Sequence, residues 1–429
     1  MNYLKQIYYE MRHHRMMTWV SISGTALAIF LVMTFVMAER INTVEMAPES
    51  NRSRIMSGTN LHLESNTNAF LGSTWGINPD VVKKLYGNLD GVEVVSYIKA
   101  WGDVHDVNVK GEESFACEAL DVDENFWKVY DFRFIDGRPF DEAERKAEVK
   151  SVVITRSTAR KLFGEEKVAG REIEIGMYPY TVIGVVEDVS PLLGNSYAKL
   201  YRIYNIESDK GQENTQWFGN TSARLLLKEG KSPKEVKHQV EERYRQLSSE
   251  AAKEGMRLIY HGQPYTAEDN AAGSHGSNNT PPTERHQRIQ WVIYAILILV
   301  PAINLSSMTR SRLRHRVAEI GVRRAFGAKR VDIITQLFGE NLIITFIGGC
   351  IGLGLSIIFL IYASTFLFSY SSIFDSLEIL DTTPDLKMVF SWGNFFIALG
   401  ICLVLNILSA TVPAWRASLV DPATALSSR

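Results

Sequence analysis

Cysteine is scarce in this chain, which has three in 429 residues. Cys350 and Cys402 lie inside long apolar stretches, so Cys117 is the single cysteine of the large polar part of the sequence. A lone cysteine excludes a disulfide within that part. The polar part, roughly 250 residues long, must therefore be stabilised by a hydrophobic core of its own, which this length allows.

Charged residues are absent from four long stretches, 17–38, 289–309, 341–374 and 388–415. Each reaches the about 20 apolar residues that a helix needs to cross the hydrocarbon of a bilayer. The sequence therefore predicts a membrane protein with four transmembrane α-helices and a large extracytoplasmic domain between the first and second helices.

The first apolar stretch has a second interpretation, a cleaved signal peptide. Val36 and Ala38 would suit a small-residue cleavage site. The stretch exceeds the about 7 to 15 residues of a signal-peptide core, which favours a retained transmembrane helix.

The four predicted spans also lack carboxylates, lysines and histidines. Ionisable groups within a span mark proton relays and ion paths, so their absence argues against a transporter driven by an ion gradient. The polar residues that do occur are Asn304, Asn394 and Asn406, whose side chains are expected to hydrogen-bond between helices.

Several chemistries are missing elsewhere. The chain has no GxxxxGK[ST] loop to hold nucleotide phosphates, so ATP and Mg²⁺ would have to be bound by another polypeptide, and no cofactor is expected in this chain. No Ser-His-Asp or Cys-His grouping has a recognisable local context, which argues against an enzyme. The net charge of −2 is not typical of a nucleic-acid-binding protein, and no nucleic-acid partner is expected.

Orientation follows from the positive charges, which stay on the cytoplasmic side of a membrane. The segment after the second span is rich in arginine, whereas the turn after the third span carries Asp375, Glu378, Asp381 and Asp385. Both termini are therefore predicted to be cytoplasmic. The predicted segments are a cytoplasmic amphipathic segment 1–16, transmembrane helix 17–38, extracytoplasmic domain 39–288, transmembrane helix 289–309, cytoplasmic loop 310–340, transmembrane helix 341–368, short outer turn 369–387, transmembrane helix 388–415 and cytoplasmic tail 416–429.

The cytoplasmic loop has two helical patterns separated by Gly327. The residues before Gly327 follow helical spacing, and the glycine is placed to end that helix. After it, Val331, Ile334 and Phe338 continue a helical stripe into the third span. Within that span Gly348 and Gly352 form a GxxxG pair, which predicts close transmembrane packing.

The order of residues in this loop resembles that of the permease subunits of MacB/FtsX-like ABC transporters, which typically read R-x-x-E-I-G-x-R-[RK]-A-x-G-A and then D and Q-x-[FL]-x-E. The matching positions are Arg316, Glu319, Ile320, Gly321, Arg323, Arg324, Ala325, Gly327, Ala328, Asp332, Gln336 and Glu340. The segments 137–140, 153–155, 159–164 and 180–186 are similar to the periplasmic core domain of these permeases. The segments 413–417, 421–423 and 425–426 are similar to their C-terminal segment.

This resemblance implies that the loop docks on an ATPase. The residues implied at the ATPase-coupling contact are Arg316, Glu319, Ile320, Gly321, Arg323, Arg324, Ala325, Gly327 and Asp332. In MacB itself the ATPase is fused at the N-terminus, whereas a short segment precedes the first span here, so we expect an ABC-type ATPase as a separate partner chain.

The resemblance further implies a second permease subunit, giving a homodimer or heterodimer in the bacterial inner membrane, with a periplasmic adaptor and an outer-membrane duct as further partners. The expected work is mechanotransmission, in which closure of the ATPase moves the periplasmic domain and drives export or extraction of a periplasmic or membrane-attached substrate. The alternatives are an FtsX-like regulator of a periplasmic cell-wall hydrolase and a membrane receptor that works without an ATPase.

The outer domain is predicted to be α+β with two lobes, formed by residues before and after an inserted central piece. Strands are expected at 92–98, 103–109, 223–227 and 257–260, and helices at 79–89 and from Ser232-Pro233 to about 253. Residues 151–186 are expected to form a strand, a helix capped by Ser157 that ends near Gly164, and a strand. Residues 270–283 are expected to form a mobile loop. Asp103, His105 and Asp106 resemble metal ligands, but their spacing favours solvent-facing strand positions, and no metal is expected.

Overall fold

The computed structural model describes residues 15–65, 76–100, 102–209, 216–273, 280–297, 299, 322, 327, 329–368, 390–401 and 403–404. These residues fall into two compact units. The outer unit contains the described residues of 42–284 and 367–382. The helical unit contains those before residue 42, of 285–366 and after residue 382.

The described helices are numbered in chain order, and a single 3₁₀ turn at Arg52–Arg54 is left unnumbered. They are α1 (Arg15–Thr43), α2 (Pro79–Tyr86), α3 (Phe126–Val129), α4 (Glu142–Lys146), α5 (Arg156–Phe163), α6 (Pro233–Lys253), α7 (Ala267–Ala271), α8 (283–297), α9 (Arg330–Phe368) and α10 (Trp392–Ile401).

The described strands belong to a ten-stranded sheet and a two-stranded sheet. They are β1 (Ile55–Gly58), β2 (His62–Ser65), β3 (Val92–Lys99), β4 (Asp103–Asn108), β5 (Phe115–Val122), β6 (Phe134–Gly137), β7 (Ser151–Thr155), β8 (Glu172–Ile175), β9 (Tyr178–Val186), β10 (Leu200–Ile203), β11 (Thr221–Leu227) and β12 (Met256–Ile259).

Six strands of the large sheet close on themselves in the order β4-β5-β10-β7-β9-β8-β4, and we call them the strand ring. Closure occurs at Val107, which is opposite Phe115 of β5 and opposite Ile175 of β8. Closing a sheet removes its exposed edges. Every strand of the ring contributes small or branched side chains to one buried cluster, which includes Val107, Cys117, Ala119, Val152, Ile154, Ile173, Ile175, Val182, Val185 and Leu200.

Strand β6 pairs with β9 of the ring. The other strands of the large sheet extend it away from the ring through β3, whose Ile98 is opposite Val122 of β5. Beyond β3 come β11 and β1, and the pair β2 and β12 forms the small sheet. We call β1, β2, β3, β11 and β12 with α2 and α6 the helical half of the outer unit. Its core is rich in aromatic residues, including Tyr86, Tyr204, Trp217, Phe218 and Tyr244.

Most local predictions for the outer unit agree with the structure. Helix α6 begins after Ser232, whose side chain accepts a hydrogen bond from the Lys234 amide, and Pro233 occupies its first turn. Helix α5 ends at Gly164, which has φ +73° in the left-handed region that favours glycine. The predicted helix 79–89 is shorter, because it ends at Tyr86.

Two other expectations change. The residue before α5 is Thr155, so the prediction that Ser157 caps this helix was wrong; the Ser157 amide instead donates to Asp188 at 3.0 Å. The described part of 270–283 includes the end of α7, which has a capping box from Thr266 to Asp269, and the first residue of α8. The described residues of 42–284 belong to one compact unit, and this unit is not divided further. The two lobes therefore stay a prediction.

Two of the described helices are long and apolar enough to cross a membrane, over Thr18–Ile41 in α1 and Leu342–Tyr362 in α9. Helix α10 is apolar but shorter, and the predicted second span is described only at 289–297 and 299, mostly within α8. Helix α9 runs without a break for 39 residues, so the predicted boundary between loop and span at residue 341 lies inside one helix. The four-span topology stays a prediction.

Candidate functional sites

The predicted coupling loop is described at only a few positions. Gly327 is exposed and has φ +94°, a left-handed conformation that side chains rarely adopt, and α9 begins at Arg330. Asp332 lies on the first turn of α9. The other predicted coupling residues lie outside the described residues, and these are Arg316, Glu319, Ile320, Gly321, Arg323, Arg324 and Ala325. Their role in coupling stays a prediction.

The glycine pair of α9 lies directly against α1. A Cβ placed on Gly348 would come within 2.8 Å of the Thr25 Cβ, and one on Gly352 would overlap the backbone carbonyl oxygen of Ala26. Larger residues at either position would force the two helices apart, because real Cβ atoms do not approach so closely. Thr25 keeps its hydroxyl satisfied within its own helix by donating to the Ser21 carbonyl at 2.9 Å.

Helix α1 also contacts α8 through polar and aromatic side chains. The Gln290 amide donates to Glu39 at 2.5 Å and lies 2.9 Å from the His286 ring. One turn further along, the rings of Phe35 and Tyr294 meet edge to face with centroids 5.1 Å apart. Among the described residues of the helical unit, α1 thus contacts both α8 and α9.

The outer unit contains a polar cleft of about 490 Å³ with Asp121 and Arg202 among its lining residues. Arg202 donates from Nε and Nη2 to the two oxygens of Asp121 at 2.6 and 3.0 Å, and Lys99 adds an ion pair with Asp121 at 3.1 Å. The pairing of β5 with β10 brings these residues together, because Asp121 and Arg202 are directly opposite in that register. Sequence reasoning missed this network, since no local pattern links residues on two separate strands.

The residues that resembled metal ligands lie at the edge of the same network. Asp103 is 3.8 Å from Lys99 and 3.9 Å from Arg202, so cationic side chains already neutralise it. Burial lowers the pKa of His105, and the neighbouring Arg202 lowers it further, while Asp103 acts in the opposite direction. Within the described part of the chain, no group of three or more His, Cys, Asp and Glu side chains is arranged to hold a metal ion.

A second pair of titratable groups lies in the helical half. The rings of His62 and His261 stack with centroids 5.0 Å apart, and His62 Nδ1 lies 2.7 Å from His261 Nε2. Burial lowers the pKa of His261, His62 lowers it further, and Glu64 opposes the shift. His261 is thus held in its neutral form near neutral pH, and it joins the end of β12 to β2.

These observations define a class of protein, one with apolar helices long enough to cross a membrane and a large α+β outer unit. The described residues of both units form no metal site. The family model described as MacB-like periplasmic core domain matches residues 18–243, more than half of the chain, and the one described as FtsX-like permease C-terminal matches residues 291–422. The chain belongs to the MacB/FtsX-like family of ABC transporter permeases. Together with the two apolar helices, this indicates an inner-membrane protein.

The chain is similar to curated proteins of this family at low identity. It is 22% identical to the macrolide export ATP-binding/permease protein MacB of Photorhabdus laumondii over 99% of this chain and 62% of that protein. It is 26% identical to the MacB of Escherichia coli O157:H7 over 73% of this chain and 43% of that protein. The chain thus spans less than two thirds of the length of these relatives.

Among solved structures, the periplasmic region of MacB from Actinobacillus actinomycetemcomitans is similar. The alignment covers 52% of this chain and 95% of that chain, with 15% identity and a TM-score of 0.36.

Proposed function

We propose that this protein is the permease subunit of an ABC transporter that transmits ATP-driven motion of a separate ATPase to its periplasmic domain. The observation that carries the proposal is the paired family match, with a MacB-like core domain at 18–243 followed by an FtsX-like permease region at 291–422. These 429 residues contain no phosphate-binding GxxxxGK[ST] loop, and the proposal assigns the nucleotide to a partner chain.

The structure supports a mechanical role through α9. A turn at Gly327 precedes a helix of 39 residues, and this helix packs by its glycines against α1. A stiff helix that begins beside the predicted coupling residues is suited to pass on a displacement without bending. Mechanotransmission of this kind needs no substrate path through the spans.

The substrate proposed is a periplasmic or membrane-attached molecule that the moving outer domain exports or extracts. Two observations favour this work. Relatives of the chain are named as macrolide export and syringafactin export proteins. The outer unit, at 42–284, also makes up more than half of the chain. A second permease subunit, a periplasmic adaptor and an outer-membrane duct complete the proposed assembly.

The proposal is tested by purifying the tagged full-length chain from its native membrane in mild detergent and identifying the proteins that accompany it. We expect an ABC-type ATPase with the wild-type chain and its loss from an Arg323→Glu variant, because reversing the charge at the predicted contact replaces attraction by repulsion. The matched control is Arg312→Glu, which reverses a charge of the same loop outside the family motif and should retain the ATPase.

Two results would contradict the proposal. One is the reproducible absence of any ATPase from the wild-type preparation, which would favour a receptor that works without one. The other is equal recovery of the ATPase with wild type and Arg323→Glu, which would remove this loop from the contact.

A further inference from the structure

The described outer unit buries three arginine side chains, and two of them pair with a carboxylate. Arg52 Nε lies 3.1 Å from Glu49 Oε2, and Arg145 Nε lies 2.6 Å from Glu124 Oε2. Arg224 of β11 is buried to a similar degree, at 8% exposure. Among the described residues, no carboxylate oxygen lies within 4.0 Å of its guanidinium nitrogens. Because a buried charge is costly unless it is paired, the missing counter-charge of Arg224 requires an explanation.

Hydrogen bonds satisfy the Arg224 guanidinium only in part. Its Nη1 donates to the Ser222 hydroxyl at 3.4 Å and to the Ala223 carbonyl at 3.2 Å, and both distances are long for hydrogen bonds of this kind. Its Nε is buried and has no hydrogen-bond partner within the described part of the chain. Nearly all buried donors in folded proteins have a partner, either in the protein or in a bound molecule. Arg224 Nε is therefore a donor that a bound molecule can use.

Asp123 is linked to the strand position opposite Arg224, but it does not compensate the charge of this arginine. Arg224 is opposite Ser96 in the pairing of β11 with β3, and the Ser96 hydroxyl donates to Asp123 at 2.7 Å. The amides of Tyr97 and Phe126 also donate to this carboxylate. Burial raises the pKa of Asp123 to about 7, whereas a guanidinium in contact with it would hold the pKa low. The counter-charge of Arg224 must therefore come from another group.

The hydroxyl of Tyr130 is a second buried polar group in this region without a described hydrogen-bond partner. Tyr130 follows α3, is 0% exposed and packs in the same cluster as Leu226. Leu226 and Arg224 are two residues apart on β11, so their side chains lie on the same face of the sheet. Burial raises the pKa of Tyr130, while the charge of Arg224 lowers it. Glu49 also raises this pKa and Arg52 lowers it, so their ion pair is close as well. The hydroxyl keeps its proton and can donate it in a hydrogen bond.

The charges of this cluster indicate which bound molecule would complete it. Glu49 and Arg52 neutralise one another, and Glu49 Oε1 accepts from the Ser196 hydroxyl at 2.9 Å. One positive charge, on Arg224, is left over. A water molecule accepts hydrogen bonds but brings no charge, whereas an anion accepts from Arg224 Nε and the Tyr130 hydroxyl and also neutralises the guanidinium. Glu49 Oε2 is buried there without a hydrogen bond, so a multiply charged anion would be repelled more strongly than a singly charged one.

We propose that Arg224 and Tyr130 form a buried binding site for a small monovalent anion, with chloride as the probe that fits. Arg224 Nε and Tyr130 Oη supply the hydrogen bonds, and the guanidinium supplies the charge. The bound anion connects β11 to the end of α3. It stabilises the outer unit, because a ligand that binds only the folded state shifts the equilibrium toward that state. This inference does not depend on the proposed function.

The experiment measures the unfolding of the full-length chain in detergent while chloride replaces gluconate at constant pH and ionic strength. Denaturant titrations followed by tryptophan fluorescence give the folding equilibrium constant at each chloride concentration. In wild type we expect a saturable dependence, in which chloride at about 100 times its Kd raises this constant by about 100-fold. Bromide, which has the same charge and a similar size, should act in the same way.

Two variants test the residues of the site. Arg224→Met removes the charge at similar volume and should abolish the chloride dependence. Tyr130→Phe removes one donor and should raise the chloride Kd by roughly tenfold or more, since hydrogen bonds to charged groups are stronger than neutral ones. If Arg224→Met does not fold, the Kd of Tyr130→Phe decides the question.

The matched controls change the same residue types where partners are already present. Tyr260→Phe removes a hydroxyl that donates to the Gln263 carbonyl at 2.8 Å, and Arg145→Met removes a buried arginine that pairs with Glu124. Either control can lower stability, but both should keep the wild-type chloride Kd.

Three results would overturn the inference. The first is a wild-type chain with no chloride dependence, which would assign the cluster to ordered water. The second is a chloride Kd in Tyr130→Phe equal to that of wild type, which would place the anion elsewhere. The third is a dependence that rises without saturation and equally in all variants, which is a general effect of salt on the protein surface.

Discussion

The strand ring and the helical half of the outer unit build their cores from different residues and hold them with different bonds. The ring closes through backbone hydrogen bonds around aliphatic side chains such as Ile154 and Leu200, both fully buried. The helical half buries large aromatic side chains that carry polar groups, including Tyr86 and Tyr244. It gathers segments that are far apart in the sequence, from β1 to β3 and from β11 to β12.

Side-chain hydrogen bonds to the backbone hold those distant segments together. Gln263 accepts from the Thr59 amide at 2.9 Å and donates to the Asn60 carbonyl at 2.6 Å. Arg243 of α6 donates to the Leu85 and Gly87 carbonyls at the end of α2. The comparison teaches that the ring depends mainly on the packing of aliphatic side chains, whereas the helical half also depends on buried side-chain hydrogen bonds. The two parts should therefore respond differently to substitution and to pH.

The largest effect is expected at Asp123, which joins the two parts. Its carboxylate accepts from the Ser96 hydroxyl and the Tyr97 amide of β3 and from the Phe126 amide of α3. Burial raises the pKa of Asp123 to about 7, although these hydrogen bonds oppose the shift. A raised folded-state pKa means that the fold favours the neutral acid, so the stability that Asp123 contributes is fully present below about pH 4 and is lost as the pH rises through about 7.

Asp123→Asn should remove this dependence. The free energy of unfolding of the wild type should fall relative to the variant by up to about 4 kcal/mol between pH 4 and pH 7. Denaturant titrations in detergent, followed by tryptophan fluorescence at several pH values, measure the difference. Asp90→Asn, at an exposed position, should leave the pH profile unchanged. A stability difference between wild type and Asp123→Asn that stays constant from pH 4 to pH 7 would refute the expectation.

A smaller effect, confined to the ring, is expected for Ile154→Ala. Ile154 is 0% exposed in β7, so truncation should leave a cavity and cost about 3 kcal/mol. Hydrogen exchange should accelerate in β7, β9 and β10 and stay the same in α6. Val149→Ala, at a side chain 44% exposed, is the control and should cost less than about 0.5 kcal/mol. Equal acceleration in α6 would show that the two parts unfold together.

The smallest effect, confined to the helical half, is expected for Gln263→Ala. Gln263 is 2% exposed, and its removal leaves the Thr59 amide without its partner, which should cost about 2 kcal/mol. Exchange should accelerate in β2 and β12 but not in the ring. Gln239→Ala removes a comparable pair of bonds to the Asp90 backbone at an exposed contact, where water replaces them. Similar decreases in the free energy of unfolding for both variants would mean that burial of the hydrogen bonds does not determine the decrease.

The helical half illustrates what local sequence can predict. Ser232-Pro233 marks the start of α6, and alternating apolar residues mark β3 and β4, because these signals lie within one element. Closure of the ring depends on the pairing of β4 with β8, in which Val107 is opposite Ile175. Tertiary packing determines this pairing, and the sequence of neither strand predicts it alone. The α+β class of the outer domain could therefore be predicted, and the ring could not.

The candidate residues divide in the same way. The residues from Arg316 to Asp332 could be predicted as coupling residues because they form a motif, and this role stays a prediction. Asp121 and Arg202 were missed, since they lie on separate strands and no local pattern links them. Asp269 did carry a signal, the Thr266-Ala267-Glu268-Asp269 order of a capping box, which sequence analysis could have used.

The unbroken length of α9 has a geometric consequence. At 1.5 Å per residue, a 39-residue helix is about 58 Å long, almost twice the about 30 Å of bilayer hydrocarbon. The apolar window begins at Leu342, so the residues from Arg330 onward form an overhang of about 18 Å before it. A rod that pivots within the membrane moves its projecting end further than the part nearer the pivot. In the proposed mechanism, a tilt of α9 would therefore produce its largest lateral displacement on this side at Arg330, the end of the overhang.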